Sequence, residues 1–154
     1  MIKKKRNFND LCIFFLIYYK KNPLMPSKIF FSIEYDFHAS PQLLFQYLST
    51  PSGLSEWFAD NVNSRGEDFI FIWDDSEESA KLIQKKNNER VRFRWTNGEH
   101  DQDHYFFEFK ILVDEITKDV SLIVSDYSDE DEMEESKMLW DNLVSDLKQV
   151  LGSA

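Results

Sequence analysis

From Ser27 to His38 the chain alternates, with Ile29, Phe31, Ile33, Tyr35 and Phe37 on one side and Ser32, Glu34, Asp36 and His38 on the other. A period of two with one apolar face predicts a half-buried strand. Ser40-Pro41 then offers an N-cap hydroxyl followed by proline at the first helical position, and Leu43, Leu44, Tyr47 and Leu48 recur at helical spacing, so a short helix follows. Thr50-Pro51 repeats the device and opens a second short helix through Leu54, Trp57 and Phe58, which Asn61 to Gly66 terminates.

The period returns to two at Glu67. Phe69, Phe71 and Trp73 share a face, Asp74 to Glu78 turns the chain, and Ala80 to Gln84 reads as a weaker strand before a turn at Asn87-Asn88. Val91, Phe93 and Trp95 alternate with Arg90, Arg92 and Arg94. Thr96 to Asp103 is a polar hairpin loop around Asn97-Gly98. Tyr105, Phe107, Phe109, Ile111 and Val113 line the next strand, and Val120, Leu122 and Val124 the one after a turn near Thr117 to Asp119. Short loops between successive strands predict an antiparallel meander. Ser128 is placed to cap the last element, whose first turn is filled by Asp129 to Glu132, a favourable site for acids at the helix dipole. Met133, Trp140, Leu143, Val144, Leu147, Val150 and Leu151 fall on one stripe of a long helix that Gly152 ends. The fold class is α+β: a curved antiparallel sheet of about six strands, two short helices after the first strand, and one long C-terminal helix. That helix is the only element long enough to cover the apolar face of the sheet.

The order is that of the helix-grip fold, and "ASPQLLFQYLSTPSGLSEWFAD" at 39–60 resembles the opening of START-like domains. It is most similar to the branch named for the activator of a heat-shock chaperone ATPase, which carries a comparable proline-opened helix and a Leu-x-x-Trp-Phe stretch, here Pro41, Leu54, Trp57 and Phe58. "FIWDDSEE" at 71–78, "VRFRW" at 91–95 and "DEDEMEESKMLWDNL" at 129–143 resemble a bacterial subset of START-like (SRPBCC) proteins of unassigned activity. The resemblance runs from about Ser27 to Leu151. It implies an interior cavity between sheet and long helix, which relatives use for lipids, hormones or polyketides and a few for chemistry. Fold does not fix function, so sites need their own argument.

Composition narrows the classes. At 154 residues, 42% hydrophobic and 16% aromatic with only 4 Gly and 4 Pro, the chain is one globular domain able to bury a core without disulfides. A lone Cys12 builds no disulfide framework and points to a reducing, cytoplasmic setting. The net charge of −10 divides unequally: residues 1–25 hold six Lys/Arg against one acid, residues 26–154 twelve against twenty-seven. A body this acidic repels phosphate backbones, which excludes nucleic acid as the default partner. Residues 1–25 form a separate basic and apolar extension, and 26–154 the START-like domain. In the extension, Lys3 to Arg6 precede nine apolar residues, Leu11 to Tyr19, and Lys20-Lys21 follow. That run is about half the roughly 20 residues a membrane span requires. Three readings fit: residues ahead of a true start at Met25, taken first; a signal or anchor; and a disordered or docked tail.

Candidate ligand-binding residues are the aromatics Trp57, Phe58, Phe71, Trp73, Phe93, Trp95, Phe107, Phe109 and Trp140, whose flat faces and polar N–H groups suit an apolar ligand. Interiors pack densely, so the same rings could close the cavity altogether. Arg90, Arg92 and Arg94 could grip an anion, but Glu34, Asp36 and Glu108 on neighbouring polar faces predict solvated ion pairs instead. His100-Asp101-Gln102-Asp103-His104 has metal-binding composition in a loop that imposes no convergence, so no metal or other cofactor is assigned. His38 has no sequence-visible partner, nothing in the alternation forces an ionisable group inward, and no catalytic residue is named. The acidic run Asp126 to Glu135 is denser than capping one helix requires, and reads first as a solvated, solubility-giving helix start and second as a docking patch for a basic partner. The expectation is a non-enzymatic domain binding a small hydrophobic ligand. The alternative is a co-chaperone-like module that docks a basic protein partner through the acidic helix start and the Trp57-Phe58 region.

Overall fold

The alternation at the start of the domain forms β1 (Ile29–Phe37). The computed structural model describes residues 28–96 and 105–152, so the expectations for residues 1–25 and for the His100–His104 loop lie outside the described residues. α1 (Pro41–Ser49) and α2 (Pro51–Leu54) follow, both opened as their sequences predict: Leu43 N–H donates to Ser40 Oγ at 3.1 Å and Gly53 N–H to Thr50 Oγ1 at 3.0 Å. Gly53 is required at the elbow. A Cβ there would stand 2.3 Å from the Gln46 carbonyl oxygen and 2.6 Å from Tyr47 Cα, so only glycine lets the two helices meet.

Six strands come next: β2 (Asn61–Arg65), β3 (Asp68–Trp73), β4 (Ser76–Lys86), β5 (Arg90–Trp95), β6 (Phe106–Val113) and β7 (Val120–Ser128). Among the described residues the sheet has seven strands rather than about six, in the order β1-β7-β6-β5-β4-β3-β2, and every neighbouring pair is antiparallel. The extra strand is Asn61–Arg65, expected to terminate a helix. It is an edge strand whose single buried side chain is Val62, which leaves almost no alternation to detect. Gly66 makes the turn into β3 with φ +64°. The turn between β3 and β4 is also tighter than the predicted Asp74 to Glu78, because β4 already begins at Ser76. Asn88, at φ 64°, forms the predicted turn between β4 and β5.

α3 (Met133–Leu151) lies against the concave face and buries Leu139, Trp140, Leu143, Val144 and Leu147. Gly152, left-handed at φ 68°, ends it as predicted. Its start differs from the expectation. Ser128 completes β7 instead of capping the helix, and a 3-10 turn, Glu130–Glu132, intervenes. The Ser128 hydroxyl sits 2.6 Å from that of Ser136, joining strand to helix inside the fold. Tyr35 Oη donates to Asp141 Oδ1 at 2.7 Å and ties β1 to the same helix.

Candidate functional site

All nine candidate aromatics are buried on the inner side of the sheet, none more than 6% exposed. They arrive from three directions. Trp57 and Phe58 descend from the turn after α2, Trp140 comes from α3, and the rest project from the alternate positions of β3, β5 and β6 that face inward. Phe58 is the junction: it stacks on Trp140 (centroids 5.9 Å, 19° between planes) and on Phe107 (5.5 Å, 23°), and meets Phe71 edge-on at 5.1 Å. Phe93 stacks on Phe107 at 5.1 Å, Trp95 lies 4.9 Å from Phe107, and Trp57 is 5.5 Å from Phe109. The rings therefore contact one another at the spacing of packed aromatic pairs.

Their polar atoms are committed to the protein. Trp57 Nε1 donates to the Tyr47 carbonyl at 2.8 Å and Trp73 Nε1 to the Phe58 carbonyl at 3.2 Å, fixing the elbow to the sheet. Trp140 Nε1 donates to Asp126 Oδ2 at 2.9 Å, and the Tyr127 N–H to Asp126 Oδ1 at 2.8 Å. Burial pushes the Asp126 carboxyl up to about 7 despite these two bonds.

Glu78 is a second inward carboxyl. It stands opposite Phe71 in the β3–β4 register and is 5% exposed, and its Oε2 is buried without a hydrogen-bond partner. Desolvation pushes it up to about 7. The expectation that no ionisable group is forced inward is thus corrected twice. Both residues were in phase with apolar positions: Glu78 with Ala80, Asp126 with Val120, Leu122 and Val124. The first was hidden by placing 74–78 in a turn, the second by grouping Asp126 with the acidic run.

The outer face carries the arginines. Arg92 donates from Nε and from its terminal nitrogen to Glu108 Oε2, each at 2.8 Å, and Arg90 Nε lies 3.6 Å from the same oxygen. Glu108 is 6% exposed and the Arg92 guanidinium sits 4.0 Å over the Phe106 ring, so these are not the solvated pairs expected. Glu34 and Asp36 do not join them because β7 and β6 stand between β1 and β5. At the start of α3, Asp129, Asp131 and Glu132 bring carboxylate oxygens within 4.8 Å of one another, the one grouping of potential metal ligands among the described residues. The Lys28 ammonium, 3.6 Å from Asp129, already occupies its edge, and the positive end of the helix disfavours a further cation. Outside the aromatic interior, an open notch of 370 Å³ lies at the α1–α2 elbow beside Tyr47, Thr50 and Glu56. The Thr50 hydroxyl there is spent on the helix ends.

A family model for the START-like superfamily domain matches residues 25–153. The chain belongs to that superfamily. The START-like domain is similar to the solution structure of BfR322 from Bacteroides fragilis at 30% identity, over 80% of this chain and 90% of that one, with a TM-score of 0.57. It shares its fold with the Aha1 dimer from Colwellia psychrerythraea (18% identity, 80% and 96% covered, TM-score 0.69) and with MLL2253 from Mesorhizobium loti (16%, 80% and 97%, 0.67). A search of curated proteins finds no match. No helix among the described residues is long and apolar enough to cross a membrane. Within the START-like frame, the Trp57 and Phe58 side chains are fully buried.

Proposed function

We propose that this START-like domain is a non-catalytic, cytoplasmic receptor for a small, largely apolar molecule with one hydrogen-bonding group, held against the concave aromatic surface with Glu78 as its polar contact. The single observation behind the reading is Glu78. A buried carboxyl without a partner costs several times what a satisfied one does, and such groups persist where a ligand or ion completes them. Trp57, Trp73, Trp140 and Asp126 have protein partners, whereas Glu78 Oε2 has none. Held near 7, the carboxyl can accept a hydrogen bond when ionised and donate one when protonated, which suits a hydroxyl, amide or amine. Acid–base catalysis needs a second positioned group, and both oxygens of Asp126 are already engaged. Because the rings pack on one another, uptake has to part them. Native mass spectrometry of the purified protein tests this. A co-purifying small molecule in the wild type that is lost in Glu78→Leu supports the reading, and a wild type with none overturns it.

A second reading is a docking module for a basic protein. The mutual packing of the rings favours it, as do the exposed acids Glu130, Asp131, Glu134 and Glu135 at the start of α3. Its expected signature is a salt-sensitive pull-down abolished when these acids are replaced by Gln and Asn while any small-molecule adduct survives.

A further inference from the structure

Lys81, Lys86, Arg90, Arg92, Arg94 and Lys110 are half of the twelve Lys/Arg in residues 26–154, and all six stand on β4, β5 and β6. The strand registers gather them on one face. Arg90, Arg92 and Arg94 alternate with the buried Val91, Phe93 and Trp95 and so point outward, and the three lysines lie directly opposite Arg94 or Arg90. Three cross-strand pairs are cation on cation: Lys81 with Arg94, Lys86 with Arg90, and Arg90 with Lys110. Side chains in such pairs are rooted about 5 Å apart, where like charges destabilise a sheet. Residues 26–154 hold twenty-seven acids, so composition does not force cations together. A fold that keeps this repulsion breaks a local rule of sheet design, as proteins do where a surface serves a partner.

Nearby acids answer only part of the charge. Asp68 stands opposite Lys81, Glu89 lies 2.6 Å from Lys86, and Glu108 is shared by Arg90 and Arg92. Six cations against three acids leave an excess of three positive charges on one face of an acidic domain. The face is reachable: the Arg90 and Arg92 side chains are each 30% exposed and that of Lys86 is 73% exposed. Arg92 is also held in place by Glu108 and by the Phe106 ring beneath it, so little ordering is left for a partner to impose. The shape selects among anions. α3 covers the concave side, so side chains on this outer, convex side diverge, and a single small anion cannot touch more than a neighbouring pair. A chain laid along β5 meets them in turn. Arg90, Arg92 and Arg94 repeat about every 6.7 Å, as do alternate side chains of any extended peptide. Nucleic acid fits less well, since its affinity comes from about 6–10 neutralised phosphates and the excess here is three charges.

We propose that the outer face of β4, β5 and β6 docks an extended acidic peptide segment of another protein, with carboxylates at alternate positions matched to Arg90, Arg92 and Arg94. This face lies on the other side of the sheet from the aromatic interior, so the proposal stands apart from ligand uptake. Fluorescence anisotropy on the full chain tests it with a labelled peptide carrying three glutamates separated by threonines. It should bind, weaken as salt rises, and bind at least fivefold more tightly than a peptide of the same composition with its glutamates contiguous. Arg94→Gln/Lys110→Gln should lower the affinity at least tenfold. Lys81→Gln/Lys110→Gln, which leaves the arginines and their contacts in place, should lower it at least threefold and melt no lower than the wild type, because it relieves two of the opposed pairs. Absence of binding at low salt, equal affinity for the two peptides, or unchanged affinity in both variants overturns the proposal. So does tighter binding of a labelled oligothymidylate, the mark of a nucleic-acid surface, or self-association on sedimentation that both variants abolish, the mark of a second copy.

Discussion

Glu78 makes the domain sensitive to pH. Its folded-state pKa of about 7 lies above the ordinary 4.5, so between those values the folded protein binds the proton more tightly than the unfolded chain, and stability falls as pH rises through the window. Asp126, raised to about 7 from 3.8, acts in the same direction. The Glu78 share is on the order of 3 kcal/mol, at about 1.4 kcal/mol per unit. Urea melts of Glu78→Gln at pH 5 and pH 8 should show that share of the difference gone; an unchanged slope would assign the whole effect to Asp126. At Gly53 the outcome is steric. Gly53→Ala drives a methyl into backbone of α1 and should cost about 2 kcal/mol or more, with altered Trp57 fluorescence as its bond to the Tyr47 carbonyl is disturbed. The inward direction of Glu78 was legible in its phase with Ala80, but the absence of a partner was not, since that depends on what other strands bring near.

Among elements, the β5–β6 pair holds the charged contact most exposed to test. Arg92→Gln leaves Glu108 buried with only Arg90 at 3.6 Å, and should lower stability by about 2 kcal/mol in a thermal or urea melt. Replacing Glu108 by Gln as well should recover part of the loss, because the penalty lies in the unpaired charge. An Arg92→Gln protein as stable as the wild type would show the pair to be solvated after all. The sequence predicted that these faces would pair, yet could not say which carboxylate, since strand order decides that and β1 proves to be remote from β5. Elements with strong periodicity or two cooperating caps were readable: β5 from its unbroken alternation, α1 and α2 from Ser40-Pro41 and Thr50-Pro51. β2 escaped because an edge strand with one buried residue has no apolar face to display. Ser128 escaped because a capping serine and a strand-end serine look alike until its partner, Ser136, is in view.

For the whole molecule, Phe58 is where helical elbow, sheet and C-terminal helix converge. Phe58→Ala should cost about 3–5 kcal/mol and flatten the near-ultraviolet dichroism of the aromatic cluster, since it removes the ring that stacks on both Trp140 and Phe107. The sequence by itself determined the antiparallel sheet, the covering helix and the inward set of aromatics, because period two, period 3.6 and proline-opened caps are local signals that survive without tertiary contacts. Only the tertiary structure decided that the rings pack on one another, that both oxygens of Asp126 accept hydrogen bonds while Glu78 Oε2 has no partner, and that β1 stands at the end of the strand order among the described residues. Packing, hydrogen-bond satisfaction and strand order are relations between residues far apart in the chain, and no window of sequence contains both members of the pair.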